Sequence, residues 1–284
     1  MREFDTPEPI SVVVDAYVGH IGIIATDRAV TVVDVRADNQ NRSLDVEVVE
    51  QTRVEYSAGR LRVNTPRPLP SERAVSRDYG AIEVVIEVPS GSRVQADTAM
   101  GTIRTTGRLG DCRLTSSLGD IHVDTAGALE LSTTMGTISV QQAHGRVQIH
   151  TGTGEVRIQR IDGPAEIDHS NGATTIDLVT DDLRVESANG DITVGRAESR
   201  VTARTDVGSI RVDEVARGSV CVETGMGQLE IGIRPGIAAA LDLHTPFGSV
   251  RNELDAAQLP EVSGKNTEVR ARTSAGDIIV RRSA

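Results

Sequence analysis

Rings are nearly absent from this chain of 284 residues. It has no tryptophan, and its five aromatics are Phe4, Tyr17, Tyr56, Tyr79 and Phe247. A core must therefore come from Val, Ile, Leu and Ala, the aliphatic residues that fit pleated strands. The same scarcity argues against stacking on sugars or nucleic acid, which needs exposed rings. Lysine occurs once, at Lys265, and acidic residues outnumber basic ones by 41 to 30. A net charge of −11 repels phosphate backbones and anionic lipid surfaces, so neither nucleic acid nor direct membrane insertion is expected. No apolar run approaches the roughly 18 residues of a membrane-spanning helix. Residues 1–10 are polar and acidic, and the apolar stretch 12–14 stops at Asp15, so no signal peptide is read and the cytoplasm is the expected compartment. Also missing are a phosphate loop ending in Gly-Lys-Ser/Thr and a Gly-x-Ser-x-Gly nucleophile turn.

What the chain does have is a repeat. Glycines 101, 119, 136, 154, 172, 190, 208, 227, 248 and 276 each precede an alternating apolar stretch, as in Gly119-Asp-Ile-His-Val and Gly190-Asp-Ile-Thr-Val. Their spacings are 18, 17, 18, 18, 18, 18, 19, 21 and 28 residues. Seven before the glycine every residue is apolar, from Val94 and Cys112 through Val147, Ala165 and Leu183 to Leu241 and Val269. Five before it the same holds, from Ala96 and Leu114 to Leu243 and Ala271. The column between carries Gln95, Arg113, Glu130, Glu166 and Arg184. This period of two marks a strand with one buried face. Apolar residues recur two and four after the glycine, as Ile121 and Val123, and again at seven, as Ala126 and Ile161. Each repeat therefore supplies two strands and a short third side, enough to close one coil of a parallel β-solenoid of about 18 residues per coil. The glycine marks a corner where the alternation slips phase. Three before it stands Ser or Thr in nearly every repeat, with His169 the exception, and these hydroxyls can satisfy corner backbone groups.

The N-terminal part is less regular. Gly19-His-Ile-Gly-Ile fits the repeat as an early coil, and the period then breaks from about Arg36 to Ser90. Leu44, Val46 and Val48 alternate with Asp45 and Glu47, which reads as a strand with a wet face. Gly59-Arg-Leu-Arg-Val and Gly80-Ala-Ile-Glu-Val read as further strands, with Pro66, Pro68 and Pro70 in a loop between them. Residues 1–90 are thus expected to form a first coil plus a strand-rich cap, and 91–284 a solenoid of about ten coils. The strand at 275–282 runs almost to the terminus. It reads as an uncovered edge, which only the insertion at 252–266 could cover.

Candidate chemistry is sparse. In the register above, Cys112 points inward and Cys221 outward, as reduced thiols suit a cytosolic chain. The six histidines fall in five repeat columns, so no converging metal set is expected. The best polar constellation is the outward column four before the glycine: His150, Asp168, Glu186 and Arg204, continued by Glu223 and His244. Asp168 and Glu186 on adjacent coils have the residue types of a glycosidase acid and base or nucleophile. Arg184 and Arg204 nearby make a solvated mixed-charge ladder the simpler reading. No catalytic, cofactor-binding or metal-binding residue is assigned.

The opening Phe4-Asp-Thr-Pro-Glu-Pro-Ile-Ser-Val, the Gly-Asp-Ile repeats, Phe247-Gly-Ser-Val-Arg-Asn and the ending Val269-Arg-Ala-Arg-Thr-Ser-Ala-Gly-Asp-Ile resemble actinobacterial members of the DUF4097 "putative adhesin" family. The resemblance covers nearly the whole chain. It implies a β-helix, by analogy with small solenoids a right-handed one, and no known catalytic residues. The expected function is a non-catalytic scaffold or interaction module that binds a protein partner or another copy of itself, without cofactor or small-molecule substrate. Alternatives are a self-assembling, filament-like protein stacking through the C-terminal edge, or a carbohydrate-active enzyme using the outward carboxylates.

Overall fold

The structure, a computed structural model, describes residues 1–67, 79–254 and 266–283. Pro68 and Pro70 and most of the insertion at 252–266 lie outside the described residues. The chain divides into two compact units, Met1–Val140 and Gln141–Ala284. Each is a parallel β-solenoid.

The repeat columns become rows of stacked side chains. In the second unit Val147 pairs in register with Ala165, Ala165 with Leu183, Leu183 with Val201, and Val201 with Val220. In the first unit Val12, Val94, Cys112 and Leu129 form the equivalent row. These residues are all buried. Each coil contributes one strand to each of two parallel sheets, as Leu183–Asn189 and Ile192–Ala197 do. The third apolar position closes the second strand instead of building a sheet of its own. Ala126, Ile161, Val179 and Val215 are buried there.

The corner glycine is required by contact as well as by conformation. At Gly190 φ is +146°, and a Cβ there would stand 1.9 Å from the Gly172 carbonyl oxygen of the preceding coil. Side chains finish the corner. The Ser116 hydroxyl donates to the Gly101 carbonyl at 3.0 Å, and Thr224 donates to Gly208 at 2.8 Å, as the Ser/Thr column predicts. The aspartate of the Gly-Asp-Ile repeat reaches the coil on its other side. Asp120 accepts the Thr137 backbone N–H at 2.7 Å, and Asp191 accepts that of Ser209 at 2.7 Å.

Two expectations need correction. Residues 43–51 form an α-helix, Ser43–Gln51, where the alternation of Leu44, Val46 and Val48 predicts a strand. The cause is Asp45, which is 1% exposed. Its carboxylate accepts the backbone N–H of Asn39 at 3.1 Å and of Ala81 at 3.0 Å, and the Arg42 guanidinium at 3.0 Å. A wet-face aspartate of a strand could not collect these three donors. Gly80 lies against the helix, since a Cβ on it would meet the Leu44 carbonyl oxygen at 2.3 Å. Around this helix Val30–Ala37 runs antiparallel to Ile82–Pro89, and Arg53–Ser57 antiparallel to Arg60–Asn64.

The second correction concerns the end of the chain. The last strand, Ile278–Arg282, is not an edge: it pairs with Leu229–Ile233 on one side and Val250–Asn252 on the other. Likewise Asn266–Ala275 lies between Ser219–Met226 and Ala238–His244. The final coil is therefore inserted beneath the one that precedes it in sequence, and the outermost strands are Ala238–His244 and Val250–Asn252. Sequence position misleads here because the last coil's apolar pattern fits equally well between two coils or on top of them.

Candidate functional site

The outward column runs along one sheet. His150 pairs with Asp168, Asp168 with Glu186, Glu186 with Arg204, and Arg204 with Glu223 across successive strands. The inserted final coil places Arg272 between Glu223 and His244. Each carboxylate has its own cationic or imidazole partner. His150 Nδ1 is 3.0 Å from Asp168. Arg184 pairs with Glu186, and Arg204, though opposite Glu186, turns to Glu223 at 3.3 Å. All are solvent-exposed to a third or more. Each of these carboxylates is therefore exposed and ion-paired, as in a mixed-charge surface ladder. The arrangement suits a solvated face.

A shallow groove of about 440 Å³ lies over the end of this row in the second unit. Arg204, Glu223, Arg272 and His244 line it, with Gly225 and Ser274 at positions two before the corner glycine. The two cysteines are free. Cys112 is buried, and burial pushes its thiol pKa up to about 12, which leaves it unreactive at neutral pH. Among the described residues no group of three His, Cys, Asp or Glu side chains could hold a metal ion, and no helix is long and apolar enough to cross a membrane.

The surface feature that the inward-facing columns hide lies one residue before the corner glycine. Met100, Leu118 and Met135 stack there in the first unit. Val207 and Met226 stack in the second, followed by Ala275 and, bridged to it, Phe247. Met135 is 57% exposed, Met226 59% and Phe247 77%. Six of the nine large hydrophobic side chains exposed among the described residues fall in this one column. The intervening members, Thr153, Asn171 and Asn189, are polar, and Asn189 donates to Asn171 at 3.0 Å. The signal was readable in the same glycine alignment that gives the core, at a position where corner sterics turn the side chain outward. Scattered exposed hydrophobics are ordinary, but a row of them at strand spacing is not.

One buried position also departs from the repeat. His169 occupies the Ser/Thr column and is 4% exposed. Its Nδ1 bonds Thr174 Oγ1 at 3.1 Å, and Thr174 itself replaces the Ile or Val found two after the glycine in neighbouring coils. Burial holds the His169 pKa below its usual value, against a smaller opposing influence of the Asn171 and Gly154 carbonyls.

The match to a family model agrees with the architecture. The Toastrack DUF4097 family matches residues 19–281. No curated protein matches the chain. Among solved structures, a "putative adhesin" from Bacteroides fragilis is 13% identical, with a TM-score of 0.38 over 98% of this chain and 95% of that one. A "putative cell adhesion protein" from Clostridium sporogenes is 10% identical, with a TM-score of 0.24 over 99% and 98%. A "putative lipid binding protein" from Parabacteroides distasonis is 9% identical, with a TM-score of 0.30 over 97% and 95%.

Proposed function

Because the chain belongs to the Toastrack DUF4097 family, we propose that it is a non-catalytic interaction module whose binding surfaces are the corner rows of exposed hydrophobic side chains, Met100, Leu118 and Met135 in the first unit and Val207, Met226 and Phe247 in the second. The observation that carries this reading is the concentration of exposed large hydrophobics in a single repeat column. Unbranched, polarisable methionine side chains at Met100, Met135 and Met226 adapt to a partner's relief. Rows of this kind bury area on a protein partner without needing a pocket. The outward charge ladder, with each carboxylate paired, supports the absence of catalysis. The acidic balance of 41 to 30 disfavours nucleic acid as the partner. The reading keeps the module in the cytoplasm, where the free thiols of Cys112 and Cys221 would persist.

The test places a photo-crosslinking residue at Leu118 or Met226 in living cells, with Gln95 and Thr193 as controls on other faces. A partner adduct of one defined mass at the row positions, absent at the controls, is expected. Met226→Asp should weaken the purified complex about tenfold, since it sets a charge against apolar area. Adducts spread equally over row and control positions would overturn the proposal.

A further inference from the structure

The strand Ala238–His244 is, with the shorter Val250–Asn252, one of the two outermost strands of the final coil. Among the described residues it is hydrogen-bonded on one side only, to Asn266–Ala275. Its inner-row residues Ala239, Leu241 and Leu243 are half-exposed, whereas their counterparts Val220, Val222, Val269 and Ala271 are buried. Its sequence, Ala-Ala-Ala-Leu-Asp-Leu-His, carries little that would repel another strand. Natural edge strands are usually blunted by charge, proline or a covering element, because a row of free backbone donors and acceptors is a template for pairing. The one carboxylate on this edge, Asp242, is already neutralised by Arg270 at 3.2 Å and Arg272 at 3.4 Å.

We propose that this strand pairs antiparallel with the same strand of a second copy, giving a two-fold dimer. The surface is separate from the corner row, and the inference does not depend on the function proposed above. Self-pairing centred on Leu241 sets Leu241 against Leu241 and Ala239 against Leu243, extending the aliphatic core across the junction. On the outer face it sets Asp242 against Ala240 and His244 against Ala238, so no like charges meet. The outer strands of the first unit are different in kind. In the first unit the outer strands Arg2–Asp5 and Arg53–Ser57 run antiparallel to their neighbours and carry Arg2, Glu3, Asp5, Arg53 and Glu55. The antiparallel self-pairing uses the same strand of both copies, so the two-fold contact closes on itself and growth stops at two copies.

The test is analytical ultracentrifugation of the full chain across a concentration series. A species of twice the 30.2 kDa chain mass is expected. Ala240→Asp puts a carboxylate opposite Asp242 twice per dimer and should weaken association about tenfold. The double variant Ala240→Asp/Asp242→Ala exchanges the two positions and should restore it. Circular dichroism checks that each variant folds, and position 240 is an exposed site that disturbs no core contact. Leu241→Cys in a Cys221→Ser background should oxidise to a single crosslinked dimer. A monomer at every concentration would overturn the proposal. So would polymers larger than two copies, or a dimer indifferent to Ala240→Asp.

Discussion

The two units finish their sheets differently. In the first, the outermost parallel strands are followed by antiparallel ones, the helix Ser43–Gln51 packs beside them, and the edge strands carry Arg2, Glu3, Asp5, Arg53 and Glu55. In the second, among the described residues, the outermost strands Ala238–His244 and Val250–Asn252 run parallel to their neighbours, and Ala238–His244 is mostly aliphatic. A solenoid has no intrinsic stop, because each coil's edge is a template for the next. The first unit stops by changing strand direction and adding charge. The second keeps the template, and its exposed Leu241 and Leu243 are what such an edge looks like before something meets it. A cap is thus a property of local chemistry and direction, not of being near a terminus.

The largest expected effect bears on what both units share. Gly119→Ala in the first unit and Gly190→Ala in the second would drive a Cβ to 2.1 Å and 1.9 Å of a carbonyl oxygen. Each should cost about 4 kcal/mol or more in denaturant unfolding. Gly59→Ala, with nothing within 4 Å of its Cβ, should cost only the left-handed conformation, about 1–2 kcal/mol. Equal losses at Gly59 and Gly119 would refute the stacked-corner account.

The cap depends on one buried carboxylate. Asp45→Ala orphans the Asn39 and Ala81 amides and the Arg42 guanidinium, and should destabilise the first unit by about 3 kcal/mol. Hydrogen exchange should show the loss concentrated in the helix and its antiparallel strands, with strands of the second unit unchanged.

The second unit carries a pH dependence from its core. His169 binds protons less readily folded than unfolded, so its contribution is complete above the ordinary value of 6.5 and is lost as pH falls below it. The double variant His169→Thr/Thr174→Ile restores the repeat at both positions. It should raise stability by about 1–2 kcal/mol and flatten the loss below about pH 6.5. Thr174→Ile alone strands the His169 Nδ1 and should destabilise, so the two changes are strongly non-additive. Stability that falls equally steeply below pH 6.5 in the double variant would exclude His169 as the source.

The smallest effect is expected on the outward ladder. Asp168→Asn breaks an exposed contact with His150 and should change stability by less than about 0.5 kcal/mol. A larger loss would mean that the ladder holds the coils together.

Most of the coil was legible in the sequence. The rows through Val147, Ala165 and Leu183, the corner glycine and the hydroxyl column all follow from a period that repeats with both chemistry and phase intact. Helix Ser43–Gln51 was not legible, because its Leu44, Val46 and Val48 alternate like a strand and its deciding contacts come from Asn39 and Ala81, outside the segment. The inserted final coil was not legible either. Its apolar columns specify what it stacks on, not which side it joins. The outward column of His150, Asp168, Glu186 and Arg204 follows from the register, but neighbours rather than the column settle its ion pairing, as when Arg204 turns to Glu223.

The inserted final coil bears on how the protein is made. Synthesis runs from the N-terminus, so Ala238–His244 and Val250–Asn252 leave the ribosome before the strands that will separate them from the preceding coil. Until the last residues emerge, the second unit has a vacant layer, and the nascent chain must either hold that gap open or exchange a provisional neighbour for the final one. Truncation by a single coil would leave that exchange permanently unfinished.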